Sequence, residues 1–386
     1  MSHPLVSKTG DERRQVPVFW REFKANVLSL RGKNDEAIEV WVELLRSDLP
    51  RPQFQIVEKL IKARVYVEAK EYLEKLVEKP GGDLGEIKYQ LARSCLGLGL
   101  VQEAKEAIEE ALEVCPEKAA YWSTLADCQL EQGEWRLAAE ALDKSLRADP
   151  KQAETVFRLG TIYSYNGEYA EALRCFSGAC QLQPRKVGYW EMKAEMHLEL
   201  GQIREACFSY KQALRYCADP EIMARTAYCY VQLDEIEKGT RYYEKTLKHE
   251  PDHYDSLCNL AAIYQNQGRS NEALRLLERA HSIFPNDAIL LNNLAYIMVH
   301  LGRTRKAQEY YQAALSLTPQ HPLILYNLSV CLASKGEWNG AIEIIQQLLE
   351  IDPDHSDAWA LLGNIYDEIA EPELAIDCFN KALKLA

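Results

Sequence analysis

The chain has 386 residues, 47% hydrophobic and 27% charged, enough apolar material to bury a large core. Its 58 acidic and 45 basic residues leave a net charge of -13, which disfavours nucleic acid or an anionic membrane as main partner, since nothing chain-wide would neutralise phosphates. Eleven cysteines, an odd number and never spaced C-x-x-C, argue against a disulfide framework or a zinc cage and read as small core residues in a reducing compartment.

The opening stretch, MSHPLVSKTGDERRQVPVFW, lacks the apolar run of a secretory leader, so the sequence predicts a cytoplasmic protein with a flexible tail over 1–16. No later apolar run approaches the ~18 residues that would span a bilayer. Two weak helix pairs follow, one over 17–49 with Trp20, Gly32, Ala37 and Trp41, the other over 50–84 with Ala69, Leu73 and a displaced Pro80.

From residue 85 the chain counts in thirty-fours. Prolines at 116, 150 and 184 share that spacing, as do those at 251, 285, 319 and 353. The gap from 184 to 251 is 67, one residue short of two periods, which puts a deletion near CADPE at 217–221. A ladder of Ala104, Ala138, Ala172, Ala206, Gly239, Ala273, Ala307, Ala341 and Ala375 carries the same slip, and glycines at 99, 133, 167, 201, 268, 302 and 336 run in phase. Shared period and shared slip define nine units: 85–118, 119–152, 153–186, 187–219, 220–253, 254–287, 288–321, 322–355 and 356–386.

Each unit reads as two short helices. In the third, Val156, Leu159, Gly160 and Tyr163 follow the i, i+3, i+4, i+7 spacing of a buried stripe. Asn166-Gly167 supplies a left-handed helix stop, and Ala172, Phe176 and Ala179 mark the second helix. Pro184 then bars further helix, because its ring clashes and it lacks an N–H.

The stretch HEPDH, His249 to His253, spells the H-E-x-x-H of zinc peptidases. That chemistry needs one unbroken helix, whereas Pro251 belongs to the proline ladder and sits in the turn between units. Both histidines are therefore expected to be exposed turn residues, and no metal site is expected. No phosphate-cradling G-x-x-x-x-G-K-[ST] occurs, His197 stands where sibling units have tyrosine and reads as packing, and the units leave no room for a catalytic domain. Neither enzymatic activity nor a cofactor is expected.

Trp359, Leu362, Gly363, Tyr366, Ala375, Phe379 and Ala382, with Trp122, Leu125, Ala126, Gly133, Ala138 and Pro150 earlier, reproduce the W…L-G…Y…A…F…A…P signature. The chain resembles the tetratricopeptide-repeat family over nearly everything after residue 16. That resemblance implies an all-α, right-handed superhelical solenoid of antiparallel helix pairs, with the first helix of each pair lining a concave groove suited to an extended peptide or a helix.

Asn259, Asn293 and Asn327 stand one per unit, each just before a first-helix leucine. C-N-L-A, N-N-L-A and Y-N-L-S are similar to the asparagine ladder of O-linked N-acetylglucosamine transferase repeats, which implies amides that hold a ligand's main chain. A carboxamide donates and accepts together, so it can pair with any peptide bond; the alternative is that asparagine merely suits the short first helix or that the units share recent ancestry. Glu191, Glu195 and Glu199 recur at i, i+4 and i+8 on one helical stripe, with Asp127 and Glu131 placed similarly in an earlier unit and Arg158 and Arg225 as isolated positive charges. This stripe is either a face for a basic or polar partner or a solvated face of an acidic protein. Tyr228 and Tyr296 are either groove anchors or core. Where chaperone-clamping repeats carry basic residues, this chain has Asp255, Cys258, Ile289 and Asn292. The last helix, FNKALKLA, ends with Leu383 and Leu385 near an uncapped end, which predicts a protein contact there, self-association included.

The sequence thus predicts a non-enzymatic adaptor that holds a protein segment. Two rivals stand beside it: a substrate-docking or regulatory subunit of a separate enzyme, and a dedicated chaperone.

Overall fold

The computed structural model describes residues 18–47, 54–78 and 83–385. The expected tail over 1–16, Pro80 and the side chain of Trp20 lie outside the described residues. Among the described residues every regular element is an α-helix, and the chain divides into two compact units, Met1–Pro184 and Arg185–Ala386.

Unit 1 stacks five helix pairs: α1 (Val18–Leu30) with α2 (Asn34–Arg46), α3 (Phe54–Lys62) with α4 (Tyr66–Val77), and α5 (Leu84–Gly97) with α6 (Val101–Val114). Then come α7 (Ala119–Glu131) with α8 (Trp135–Ala148) and α9 (Ala153–Tyr165) with α10 (Tyr169–Leu182). Unit 2 stacks six: α11 (Val187–Glu199) with α12 (Ile203–Ala213), α13 (Pro220–Gln232) with α14 (Ile236–His249), and α15 (Tyr254–Asn266) with α16 (Ser270–Ile283). The last three are α17 (Ala288–His300) with α18 (Thr304–Leu317), α19 (Pro322–Ser334) with α20 (Trp338–Ile351), and α21 (Ser356–Glu368) with α22 (Pro372–Leu385).

One left-handed residue separates the two helices of every pair. Gly167 has φ 77°, and the N–H of Glu168 behind it donates to the carbonyl of Tyr163 at 2.9 Å, which satisfies an end carbonyl of α9. Where the glycine ladder has gaps, Arg64, Asp234 and Ala370 occupy the same left-handed place at φ 60–62°. These three mark the pairs that the glycines alone leave unmarked. The one-residue slip lies between Gly201 and Asp234, 33 apart, beside the shortened helix α12.

Packing within a pair sets small residues against large ones. A Cβ on Gly160 would lie 2.9 Å from Cys175 Cβ and from the Phe176 ring, so glycine lets α10 close on α9. Phe176 is fully buried there and stacks at a tilt on Phe157, ring centroids 5.2 Å apart. The alanine ladder is buried throughout, Ala104, Ala138, Ala172 and Ala206 all at 0% exposure. The α9 stripe differs in detail: Leu159, Gly160 and Ile162 are buried, while Val156 and Tyr163 are half-buried, and Leu159 and Ile162 pack in one cluster with Tyr121, Leu125 and Leu142 of the preceding pair. Seven of the cysteines are buried and none is bonded to another.

HEPDH is split as expected, but His253 is not an exposed turn residue. It is 8% exposed and caps α15: its Nδ1 accepts from the Ser256 N–H at 3.3 Å, so Nε2 carries the proton and donates to Glu221 at 3.1 Å. His197 is buried, with Nδ1 2.7 Å from Gln202 Oε1.

Candidate functional site: the first-helix face

The residues singled out from sequence all stand on first helices, and unit 2 brings most of them together. Tyr228 on α13 and Asn259 on α15 line one depression of about 490 Å³, with Gln232, Asn266 and the buried Tyr243. Asn293 and Tyr296 on α17 line a second, of about 190 Å³, with Gln265, Asn266 and Cys258. Ala262 and Asn266 belong to both, so the two form one continuous strip across α13, α15 and α17. Tyr228 and Tyr296 are 41% and 45% exposed, which makes them surface aromatics rather than core. Two positions the sequence reading missed, Gln232 and Asn266, sit 34 residues apart at the last turn of successive first helices; that spacing was their only signal.

Asn292 does not face solvent. It is 3% exposed and links its neighbours: the Nδ2 of Asn327 donates to Asn292 Oδ1 at 2.9 Å, and Asn292 Nδ2 donates to Asn293 Oδ1 at 3.3 Å. The relay crosses from α19 to α17 and uses one half of each outer amide. What remains free to a ligand is the Asn293 donor and the Asn327 acceptor, the two functions a peptide bond requires. Asn259 is exposed. Around this amide strip lie exposed Ile289, Leu323 and Val330, apolar groups at the first and third turns of α17 and α19.

The acidic stripe occupies α11. Glu191 and Glu195 are half-buried and Glu199 is exposed. Burial, then the charges of Glu195, Asp219 and Glu221, pushes the Glu191 carboxyl above its usual range, against the pull of Arg225. Burial likewise raises Glu195, with Arg225 opposing and Glu199 adding. A carboxyl raised in the folded state costs stability once pH climbs through its folded pKa, and that cost is absent below the unfolded value. The double variant Glu191→Gln/Glu195→Gln is therefore expected to be more stable than wild type near neutral pH, by roughly 0.2–0.5 kcal/mol for the relieved i,i+4 repulsion alone. The advantage should vanish as pH falls below the ordinary carboxylate range. Thermal melts across pH check this; equal midpoints at neutral pH would remove the strain inferred here.

Neither arginine is an isolated charge. Arg225 donates through Nε to Glu221 at 2.9 Å, in an i,i+4 pair on α13. In unit 1, Arg158 on α9 donates to Asp127 on α7, tying adjacent first helices; burial still holds the Asp127 carboxyl above its usual range, because desolvation outweighs the nearby guanidinium. Among the described residues no group of histidine, cysteine and carboxylate side chains could hold a metal ion, and no helix is long and apolar enough to cross a membrane.

Stacked helix pairs with one left-handed residue each, small residues at the crossing and a polar-aromatic first-helix face define a tandem tetratricopeptide-repeat protein, a class that indicates a protein-interaction scaffold. Residues 60–288, more than half the sequence, match the family described as Cilia and flagella-associated protein 70 C-terminal domain, and the chain belongs to that family. Residues 298–365 and 356–386 match tetratricopeptide-repeat families. The chain is similar to human DnaJ homolog subfamily C member 3, 22% identical over 285 residues covering 68% of this chain and 52% of that protein. It is also similar to the Caenorhabditis elegans tetratricopeptide repeat-containing protein trd-1, 23% identical over 42% of this chain and 21% of the relative. The chain thus spans from about a fifth to about half the length of these two curated relatives. Among solved structures, a chain of the APC/C hetero-tetramer Cut9-Hcn1 aligns over 96% of this chain and 87% of its own, at 15% identity and a TM-score of 0.48.

Proposed function

We propose that the first-helix face of α13–α19 holds an extended segment of another protein, and that the chain acts as a non-catalytic adaptor. The observation that carries this reading is the strip of surface amides and tyrosines, Tyr228, Asn259, Asn293, Tyr296 and Asn327, continuous over successive repeats. Amides meet the segment's main chain whatever its sequence, and the tyrosines supply rigid apolar area with a polar tip. Preformed on helices, the strip costs little ordering on binding.

The family's description names cilia and flagella. The segment is therefore to be sought first among ciliary and flagellar proteins, not in a general cytoplasmic pool. On α22, Ile376 and Leu383, two turns apart on one helical face, are exposed and offer a second surface for a protein contact, self-association included.

Affinity capture from a ciliary extract tests the proposal. The intact chain should retain a partner that the triple variant Asn259→Ala/Asn293→Ala/Asn327→Ala releases, while the helical content of the two stays equal. Undiminished capture by the triple variant would refute it.

A further inference from the structure

The strip described above is uncharged, yet it adjoins a site of a different kind. One repeat nearer the start of unit 2, Glu191 and Glu195 stand one helical turn apart on α11, half-buried, and neither has an ion-pair partner among the described residues. The surrounding charges are already committed. Glu221 takes both Arg225 Nε at 2.9 Å and His253 Nε2 at 3.1 Å, and Lys193 lies over the Trp190 ring at 5.4 Å. Arg225 therefore offsets the α11 carboxylates only from a distance.

Beneath this pair is an orphaned polar atom. Tyr210 of α12 is 1% exposed, packed among Ala194, Ile222 and Cys229, and its hydroxyl has no hydrogen-bond partner. Its ring packs in one cluster with Ala194 of α11, the residue before Glu195, and with Ile222 and Cys229 of α13, and among side-chain charges Glu195 acts on the hydroxyl first, with Arg225, Cys229 and Glu191 after it. A buried hydroxyl without a partner has lost its hydrogen bonds to water and gained none in return. At the corresponding place of other pairs Phe176, Leu277 and Ile345 carry no polar atom, and Tyr243 and Tyr311 are buried tyrosines too, but of these three phenols only that of Tyr210 is buried without a hydrogen-bond partner.

We propose that Glu191, Glu195 and the Tyr210 hydroxyl form a receptor for one basic side chain of the held segment, a lysine. An ammonium has three N–H donors, and these three oxygen-bearing groups supply three acceptors of which two are negatively charged. The proposal rests on the reading that this face holds a protein segment, and it adds the segment's chemistry: apolar and main-chain contacts over α13–α19, with a lysine at the α11 end. Bound there, the ammonium neutralises the like-charge pair and gives the phenol its missing partner. Of the other carboxylates near the site, Glu221 is already engaged twice, Asp219 caps α13 and Glu199 is exposed.

The test uses the full chain and two short fluorescein-labelled peptides, one alternating leucine and lysine, the other alternating leucine and glutamine. Fluorescence anisotropy should show roughly tenfold tighter binding of the lysine peptide. Glu191→Gln/Glu195→Gln should abolish that preference and leave the glutamine peptide's affinity unchanged. Tyr210→Phe, which removes only an unpaired hydroxyl and should not lower the melting temperature, should reduce the preference severalfold. Glu343→Gln/Glu350→Gln, which removes two exposed charges from α20, should keep it.

Equal wild-type binding of both peptides would overturn the receptor and leave the groove reading standing. A preference lost equally in the α20 variant would overturn it too, since the cause would be the general field of an acidic chain. Binding of neither peptide would overturn both readings.

Discussion

Phe176→Ala is expected to cost about 3–5 kcal/mol, the largest stability loss of any single side-chain truncation considered for this chain. Phe176 is fully buried, fills the crossing of α9 and α10, and packs on Phe157 and on the bare backbone of Gly160. Glycine offers no side chain that could swing into the void, so the cavity persists and its whole lining loses contacts. In a stack whose pairs touch only their neighbours, the loss should concentrate locally. Urea denaturation followed by circular dichroism should show an early transition, and hydrogen exchange should accelerate first in α9 and α10. An unchanged denaturation profile would mean that this crossing contributes far less than its burial implies.

The second large effect is on binding. Replacing Asn259, Asn293 and Asn327 by alanine removes three hydrogen-bonding groups from the proposed binding face, each worth about 0.5–1.5 kcal/mol net. Summed, this is a weakening of roughly tenfold to a thousandfold in Kd. Folding changes less, for opposing reasons. Alanine favours helix over asparagine, but loss of Asn327 strands the buried Asn292 Oδ1, which costs about 1–3 kcal/mol. Asn259→Ala alone, with no relay to break, should weaken binding without destabilising α15, and so separates the two effects. Isothermal titration with the captured partner, beside thermal melts of each variant, reads both.

Much of this architecture was legible in the chain because a tetratricopeptide pair is specified by local chemistry: a small residue where helices cross, a left-handed residue between them, a proline after. The reading faltered where a position meets its structural demand with an unexpected residue. Arg64, Asp234 and Ala370 adopt the left-handed conformation without being glycine, so the ladder appeared broken there. The three asparagines were visible through their spacing, and so, in hindsight, were Gln232 and Asn266. The Asn292 relay was not, because it depends on how α17 and α19 are turned toward each other, which no single helix encodes. The same is true of the pair Arg158–Asp127, joined across repeats, whereas Arg225–Glu221 is an i,i+4 pair within α13 that the spacing along the chain already allowed. His253 shows the converse, a residue that looks idle in a turn but caps the next helix. Division of the chain after Pro184 left no mark at all, since that proline belongs to the regular ladder.

Site-specific photocrosslinking tests the central claim most directly. Benzoylphenylalanine placed at Tyr296, on the proposed binding face, should form a covalent adduct with the retained partner, and the same probe at Arg305, 93% exposed on the second helix of that pair, should form none. An adduct at position 305 and none at 296 would put the partner on the opposite wall and contradict the account.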